Sequence, residues 1–293
     1  MPKKILKLGL PKGSLQESTF KLFQMAGFKV DTEERSYFPS IDDDQIQLVL
    51  IRAQEMSFYV EKGVLDCGIT GEDWVRENGS CVLRLAHLLY AKRTFRPVRW
   101  VIAVKEDSRI KKISDLQGKR ISTELVNVTK NFLKKSKVKA FVEFSWGATE
   151  VKVKSGLADA IVELTETGAS LRANNLREVA CICESTTQFI ANKKAYKDAW
   201  KKKKIDYLLL LLLGAIEAQG KVGLKLNIRK ENLTRIIKVL PALRRPTIAS
   251  LASQDWYALE VVIEEERVKE LVPVLKELGA EGIVEYPLNK IIN

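Results

Sequence analysis

The chain has 293 residues, 46% of them hydrophobic, enough to bury a sizeable core and to divide into two or three domains. Its 49 Lys and Arg against 37 Asp and Glu leave a net charge of +12, which favours anionic partners such as nucleotides, phosphorylated sugars or nucleic acid without choosing among them. The single histidine, His87, excludes a multi-histidine metal site, and its apolar neighbours Leu85-Ala86 and Leu88-Leu89 predict a packed structural role. Cys67, Cys81, Cys181 and Cys183 sit in apolar segments without the paired spacings of a zinc site or a disulfide framework, and read as reduced core residues. No apolar signal region follows Met1, so the expected location is the cytoplasm. The most hydrophobic stretch, Leu208 to Leu213, is far shorter than the roughly 20 residues that span a bilayer and reads as a buried helix segment, with no membrane association expected.

Short β-rich runs alternating with helical patterns predict an α/β protein with largely parallel sheets. Ile5 to Leu10 reads as a strand, Ser14 to Ala26 as a helix stopped by Gly27, and Gln47 to Ile51 as the next strand. A helix over Gln54 to Lys62, a strand over Leu65 to Ile69 and a helix opening at Gly71-Glu72-Asp73 complete a first lobe. A second lobe takes strands Val98 to Val104, Arg120 to Thr123, Ala140 to Ser145 and Ala158 to Leu164, with helices over Val128 to Lys135 and Ala148 to Lys154. Two lobes with a cleft are the expected picture. The Lys-rich, then Leu-rich stretch from Asn192 to Gly220 predicts one or two helices. Beyond it come strand Val222 to Ile228, helix Glu231 to Leu240, strands Thr247 to Ala252 and Tyr257 to Glu264, helix Glu266 to Leu278 and strand Gly282 to Tyr286, the βαββαβ order of a ferredoxin-like unit.

The densest chemistry lies between Asp159 and Arg172. Strand alternation puts Asp159, Ile161 and Glu163 on one face, so two carboxylates point to one side. The chain then turns through the small, hydroxyl-bearing residues Thr165-Glu166-Thr167-Gly168-Ala169-Ser170 into a short helix. Backbone N–H groups at such a turn favour a phosphate, and adjacent carboxylates accept hydrogen bonds from sugar hydroxyls. An ordinary capped helix start is the alternative reading.

The run GLADAIVELTETGASLRANNL resembles the phosphoribosyl pyrophosphate signature of the ATP phosphoribosyltransferases. LGLPKGSLQE is similar to that family's first strand and phosphate-proximal loop, and GVLDCGITGEDWVRENG to its strand-turn-helix. ISTELVNVTKNFL and SWGATEV resemble two further segments, and LRRPTIASLASQDWYALEVVI resembles the regulatory domain of the long form. The resemblance implies a two-lobed core like the periplasmic binding proteins, with catalytic lobe I over 1–95 and 184–216, catalytic lobe II over 96–183, and a ferredoxin-like regulatory domain over 218–293.

It implies condensation of ATP with phosphoribosyl pyrophosphate, magnesium accompanying the pyrophosphate through unassigned ligands, inhibition by histidine, and a homo-oligomer, dimer and hexamer. By motif position, Asp159 and Glu163 take the ribose hydroxyls, while Glu166, Thr167, Gly168, Ala169 and Ser170 take the phosphate. Lys12, Gly13 and Arg52 fall near the cleft, the two cations as partners for the pyrophosphate or triphosphate. Gly71, Glu72 and Asp73, with Thr123 and Glu124, fall on the nucleotide side, although acidic residues at a helix start are equally at home there. For histidine the candidates are Thr247, Ile248, Ala249, Ser250 and Leu251, with Asn227 on the preceding strand. The sequence departs from the family pattern at Ser14, where Arg is usual, at Glu163, where Asp is commoner, and at Trp146, where a smaller residue is frequent. A nucleic-acid role for the Lys201 to Lys204 run lacks any accompanying helix-turn-helix, zinc or aromatic pattern. An anion-capturing binding protein without chemistry is argued against by the signature itself.

Overall fold

The computed structural model describes residues 4–33, 36–90, 97–147, 149–241, 245–253 and 255–293. Contacts divide the chain into two compact units that part between Leu209 and Leu210, with Met25–Gly27 joining the second.

In the first unit, strands β1 (Leu6–Lys12), β2 (Val30–Asp31), β3 (Ser40–Ile41), β4 (Ile46–Arg52), β5 (Cys67–Gly71) and β6 (Leu83–His87) alternate with helices α1 (Gln16–Met25), α2 (Ala53–Glu61) and α3 (Glu72–Glu77). Strands β7 (Val98–Lys105), β8 (Arg120–Thr123), β9 (Phe141–Phe144), β10 (Ala160–Thr165) and β11 (Leu176–Ser185) follow, with α4 (Val126–Lys135), α5 (Thr149–Lys154) and α6 (Ala169–Ala173). β12 (Thr187–Ala191) then returns to the first sheet, whose order is β4-β1-β5-β12-β6, while the second runs β11-β7-β10-β8-β9. Each sheet is thus the centre of one lobe. β1 pairs in parallel with both β4 and β5, and its Leu6, Leu8 and Leu10 are fully buried, as expected of a strand covered on both faces. Gly9 and Gly68 stand in register on β1 and β5 because Met56 of α2 lies on them: a Cβ at either position would come within 2.3 Å or 2.6 Å of its sulfur.

Helix α7 (Ala199–Glu217) leads into the second unit, which contains β13 (Lys221–Arg229), α8 (Leu233–Val239), β14 (Thr247–Ser250), β15 (Trp256–Glu264), α9 (Val268–Glu277) and β16 (Glu281–Pro287). Its sheet order, β14-β15-β13-β16 with every neighbour antiparallel, is that of a ferredoxin-like fold. Leu224, Leu226 and Ile228 of β13 pack with Ile236, Leu271 and Leu275 of the two helices on one face of that sheet.

Several sequence expectations are corrected. β10 starts at Ala160, so Asp159 precedes the strand. Only Cys67 is a core cysteine; Cys81 and Cys181 are exposed and Cys183 half-buried. His87 is exposed on the edge strand β6, its Nδ1 lying 3.1 Å from Thr186 Oγ1 and 2.9 Å from Gln188 Nε2. Within the leucine run, Leu208, Leu209 and Leu212 are buried but Leu210 and Leu213 are 49% and 40% exposed. No described helix is long and apolar enough to cross a membrane. Ala148, the expected first residue of α5, together with residues 91–96 at the expected lobe boundary and Leu243, Arg244 and Gln254 of the C-terminal motif, lies outside the described residues.

Candidate active site

Both lobes contribute to a cavity of about 880 Å3 in the first unit. Its walls include Lys12, Gly13, Ser14 and Tyr37, then Arg52 and Glu55 at the end of β4 and the start of α2. Gly71, Asp73 and Trp74 come from the β5–α3 turn, Trp100 from β7, Glu124 from the β8–α4 junction and Glu163 from the end of β10.

The cations stand at the mouths of β1 and β4, neighbouring strands in which Lys12 and Arg52 are in register. Lys12 Nζ sits 3.6 Å from the centroid of the Tyr37 ring, a cation–π contact that holds the ammonium without neutralising it. Arg52 is exposed and forms no ion pair among the described residues.

Opposite them are carboxylates. Glu163 accepts the Thr149 hydroxyl on Oε2 and the Leu164 N–H on Oε1 at 3.2 Å. Burial raises the Glu163 carboxyl above its ordinary value, those two donors lower it, and the charges of Glu150 and Glu124 raise it again. Glu124 Oε1 accepts the Gly147 N–H at 3.1 Å.

Asp73 lies on the wall but is buried, and burial pushes its carboxyl above the ordinary value against the bonds it accepts. Its Oδ2 accepts the Trp100 indole N–H at 2.6 Å and its Oδ1 the Trp74 N–H at 2.9 Å, while its own N–H donates to Ser185 Oγ at 3.1 Å. The two indoles meet edge to face at 6.0 Å. Gly71 is required by this arrangement, since a Cβ there would fall 2.0 Å from Asp73 Oδ1. Asp73 therefore acts on the cavity through Trp100.

Not all expected residues gather here. Asp159 lies at the other end of β10 from Glu163; its Oδ2 accepts the Arg120 N–H at 2.8 Å, and it lines a separate hollow with Lys105, Arg109, Asp115 and Lys119. The expectation that Asp159 and Glu163 serve one sugar is corrected: four residues of strand separate them by about 13 Å. Glu72 is ion-paired with Arg76 and Arg84 at 2.9 Å and 2.7 Å, and Thr123 is fully buried with its Oγ1 accepting the Leu125 N–H. Neither Glu72 nor Thr123 lines the cavity.

The Glu166, Thr167, Gly168, Ala169, Ser170 turn follows Leu164, which does line it. Two of its N–H groups are satisfied locally, Gly168 donating to Thr165 Oγ1 at 2.8 Å and Ala169 to Thr167 Oγ1 at 3.4 Å. Gly168 is left-handed, with φ +74°. Trp100, Tyr37 and Thr149 escaped the sequence reading; only the resemblance of SWGATEV pointed toward the last of them.

In the second unit, Thr247 and Ala249 on the edge strand β14 pair with Glu260 and Ala258, and Ala258 pairs with Asn227. Thr247, Ala249 and Asn227 thus share the sheet face away from the helices. Ile248 and Ser250, paired with Leu259 and Tyr257, belong to the other face, and Leu251 follows the strand.

A two-lobed α/β core with cations from one lobe and carboxylates from the other on the walls of one cavity suits a substrate that carries both phosphates and sugar hydroxyls. Comparison with known proteins agrees. The ATP phosphoribosyltransferase family model matches residues 52–218, and the model described as HisG, C-terminal domain, matches residues 218–290. ATP phosphoribosyltransferase of Thermodesulfovibrio yellowstonii is 58% identical over 292 residues, covering 100% of both chains. That of Pelodictyon phaeoclathratiforme is 57% identical over 289 residues, covering 99% of this chain and 98% of the relative. Among solved structures, the Thermotoga maritima ATP phosphoribosyl transferase (HisG:HisZ) complex has a chain superposing with a TM-score of 0.63 at 27% identity, covering 73% of this chain and 99% of that one. The chain belongs to the ATP phosphoribosyltransferase family, in its long form, and is a pentosyltransferase of histidine biosynthesis.

Proposed function

We propose that the cavity joins ATP to phosphoribosyl pyrophosphate, giving phosphoribosyl-ATP and pyrophosphate. The observation that carries this reading is the meeting of Lys12 and Arg52 with Glu124 and Glu163 on the walls of a single cavity. Cations suit the two polyphosphate chains, and carboxylates suit ribose hydroxyls. The adenine nitrogen beside the exocyclic amine attacks the anomeric carbon as the bond from that carbon to the pyrophosphate oxygen breaks. Positive charge grows on the sugar and negative charge on the leaving group, so rate comes from positioning and electrostatics. Glu163 holds the ribose, Lys12 and Arg52 the departing pyrophosphate or the triphosphate, and Trp100, held by Asp73, forms part of the wall available to the base.

The 166–170 turn receives the 5-phosphate by exchanging its internal Thr165 and Thr167 bonds for phosphate oxygens. Magnesium, brought with the pyrophosphate, supplies charge neutralisation there. Mg2+ is commonly held by one or two carboxylates plus substrate phosphates, and when bound it would find Glu124 as such a carboxylate; among the described residues no group of three or more His, Cys, Asp or Glu could hold it alone. Histidine, as feedback inhibitor, is assigned to the uncovered face around Thr247, Ala249 and Asn227, in a homo-oligomer working in the cytoplasm. Pyrophosphate release measured with each substrate alone and with both tests the reaction: release only with both supports it, and release from either alone overturns it.

A further inference from the structure

Glu163 is a long carboxylate at the end of a strand, and in an open cavity its free side-chain torsions would let the charged group wander. Each rotamer frozen on binding costs affinity. Here the carboxylate is held at both oxygens, by the Leu164 N–H and by the Thr149 hydroxyl. Thr149 opens α5, is 1% exposed, and is β-branched, so the backbone dictates where its hydroxyl points. Two residues earlier Gly147, at φ +49°, turns its N–H onto Glu124. One short segment therefore sets the direction of both cavity carboxylates, which repel each other and would otherwise swing apart.

We propose that Thr149 is a positioning residue for phosphoribosyl pyrophosphate, its hydroxyl fixing the Glu163 carboxylate in the orientation that accepts the ribose hydroxyls. The proposal rests on the reading of Glu163 as the sugar ligand. It also makes the Thr149–Glu163 pair specific: an aspartate at 163 is one methylene shorter and falls short of the hydroxyl.

Steady-state kinetics on Thr149→Val, Thr149→Ser, Glu163→Asp, Glu163→Gln and the Thr149→Val/Glu163→Asp double variant test this, with thermal melting as a check on folding. Thr149→Val, which keeps shape and loses the hydroxyl, raises KM for phosphoribosyl pyrophosphate about tenfold, the worth of one charge-assisted hydrogen bond. Its kcat and its KM for ATP stay within about twofold of the parent, as expected when binding common to ground and transition states is lost. Thr149→Ser, which keeps the donor without the β-branch, recovers most of that loss. Without the donor the acid limb of kcat/KM moves to higher pH, because the ionised carboxylate has lost a hydrogen bond. In the Glu163→Asp background Thr149→Val adds nothing.

A silent Thr149→Val alongside an impaired Glu163→Gln overturns this inference alone, as do equal losses in Val and Ser with the pH limb unmoved. A Glu163→Gln variant with unchanged KM for phosphoribosyl pyrophosphate overturns the sugar-ligand reading and the inference together.

Discussion

Asp73 and Trp100, from helix α3 of one sheet's lobe and strand β7 of the other's, are joined by a 2.6 Å hydrogen bond between two buried side chains. The bond ties the lobes beside the cavity, and it satisfies an indole N–H that has no water to turn to. Replacing Asp73 by Ala leaves that donor unpaired and lowers unfolding free energy by about 2 kcal/mol, whereas Asp73→Asn, which keeps an acceptor oxygen, costs less than half as much. Urea unfolding of the two variants checks this. Equal losses would mean that Asp73 stabilises through its charge rather than through this acceptor.

Gly71→Ala drives a methyl into Asp73 Oδ1 and displaces the carboxylate from the indole. Overpacking of this kind costs about 1–3 kcal/mol. The Trp100 wall shifts with it, so KM for ATP rises while KM for phosphoribosyl pyrophosphate changes little. Paired melting and kinetic measurements check both parts; a fully active variant of parental stability would contradict them.

Gly168→Val places a β-branched residue at φ +74° with its Cβ 2.8 Å from Arg172 Nη1. The strain, about 1–3 kcal/mol, falls on the 166–170 turn alone. Turnover drops at least about tenfold with an unchanged circular dichroism spectrum, because the turn loses the shape that admits a phosphate. Unchanged turnover in a folded variant would remove the turn from the site.

Ala249→Trp on the uncovered face of the C-terminal sheet keeps basal activity and loses inhibition by histidine. The effector acts by differential affinity for two conformations, so blocking its seat leaves the catalytic state untouched. Rates across a histidine titration decide it, and inhibition equal to the parent's would move the histidine site elsewhere.

Much of this architecture was legible in residues. The alternation of β and α patterns gave the two lobes without β6, β11 and β12, and the βαββαβ order gave the C-terminal unit with boundaries displaced by only a residue or two. Asp159 shows where pattern stops: alternation tells which face a side chain takes, not how far along the strand it lies, and four residues were enough to carry it out of the cavity. Cys181 and His87 failed for a related reason, since both stand on edge strands, β11 and β6, where apolar neighbours do not ensure burial. The leucine run is apolar all round, so periodicity could not say which side faces solvent. Asp73–Trp100 and Thr149–Glu163 link residues 27 and 14 positions apart, contacts that only the fold creates.

The central claim, that this cavity grips phosphoribosyl pyrophosphate through a charged Glu163, is tested most directly by kinetics of Glu163→Gln across pH. Burial holds the Glu163 carboxyl above its ordinary value of 4.5, so in the parent kcat/KM falls as pH drops through a limb lying above 4.5, where the carboxylate takes up its proton. The account predicts that Glu163→Gln loses this limb and raises KM for phosphoribosyl pyrophosphate about tenfold or more while KM for ATP holds. An effect confined to ATP, or an acid limb that survives the substitution unchanged, would contradict it.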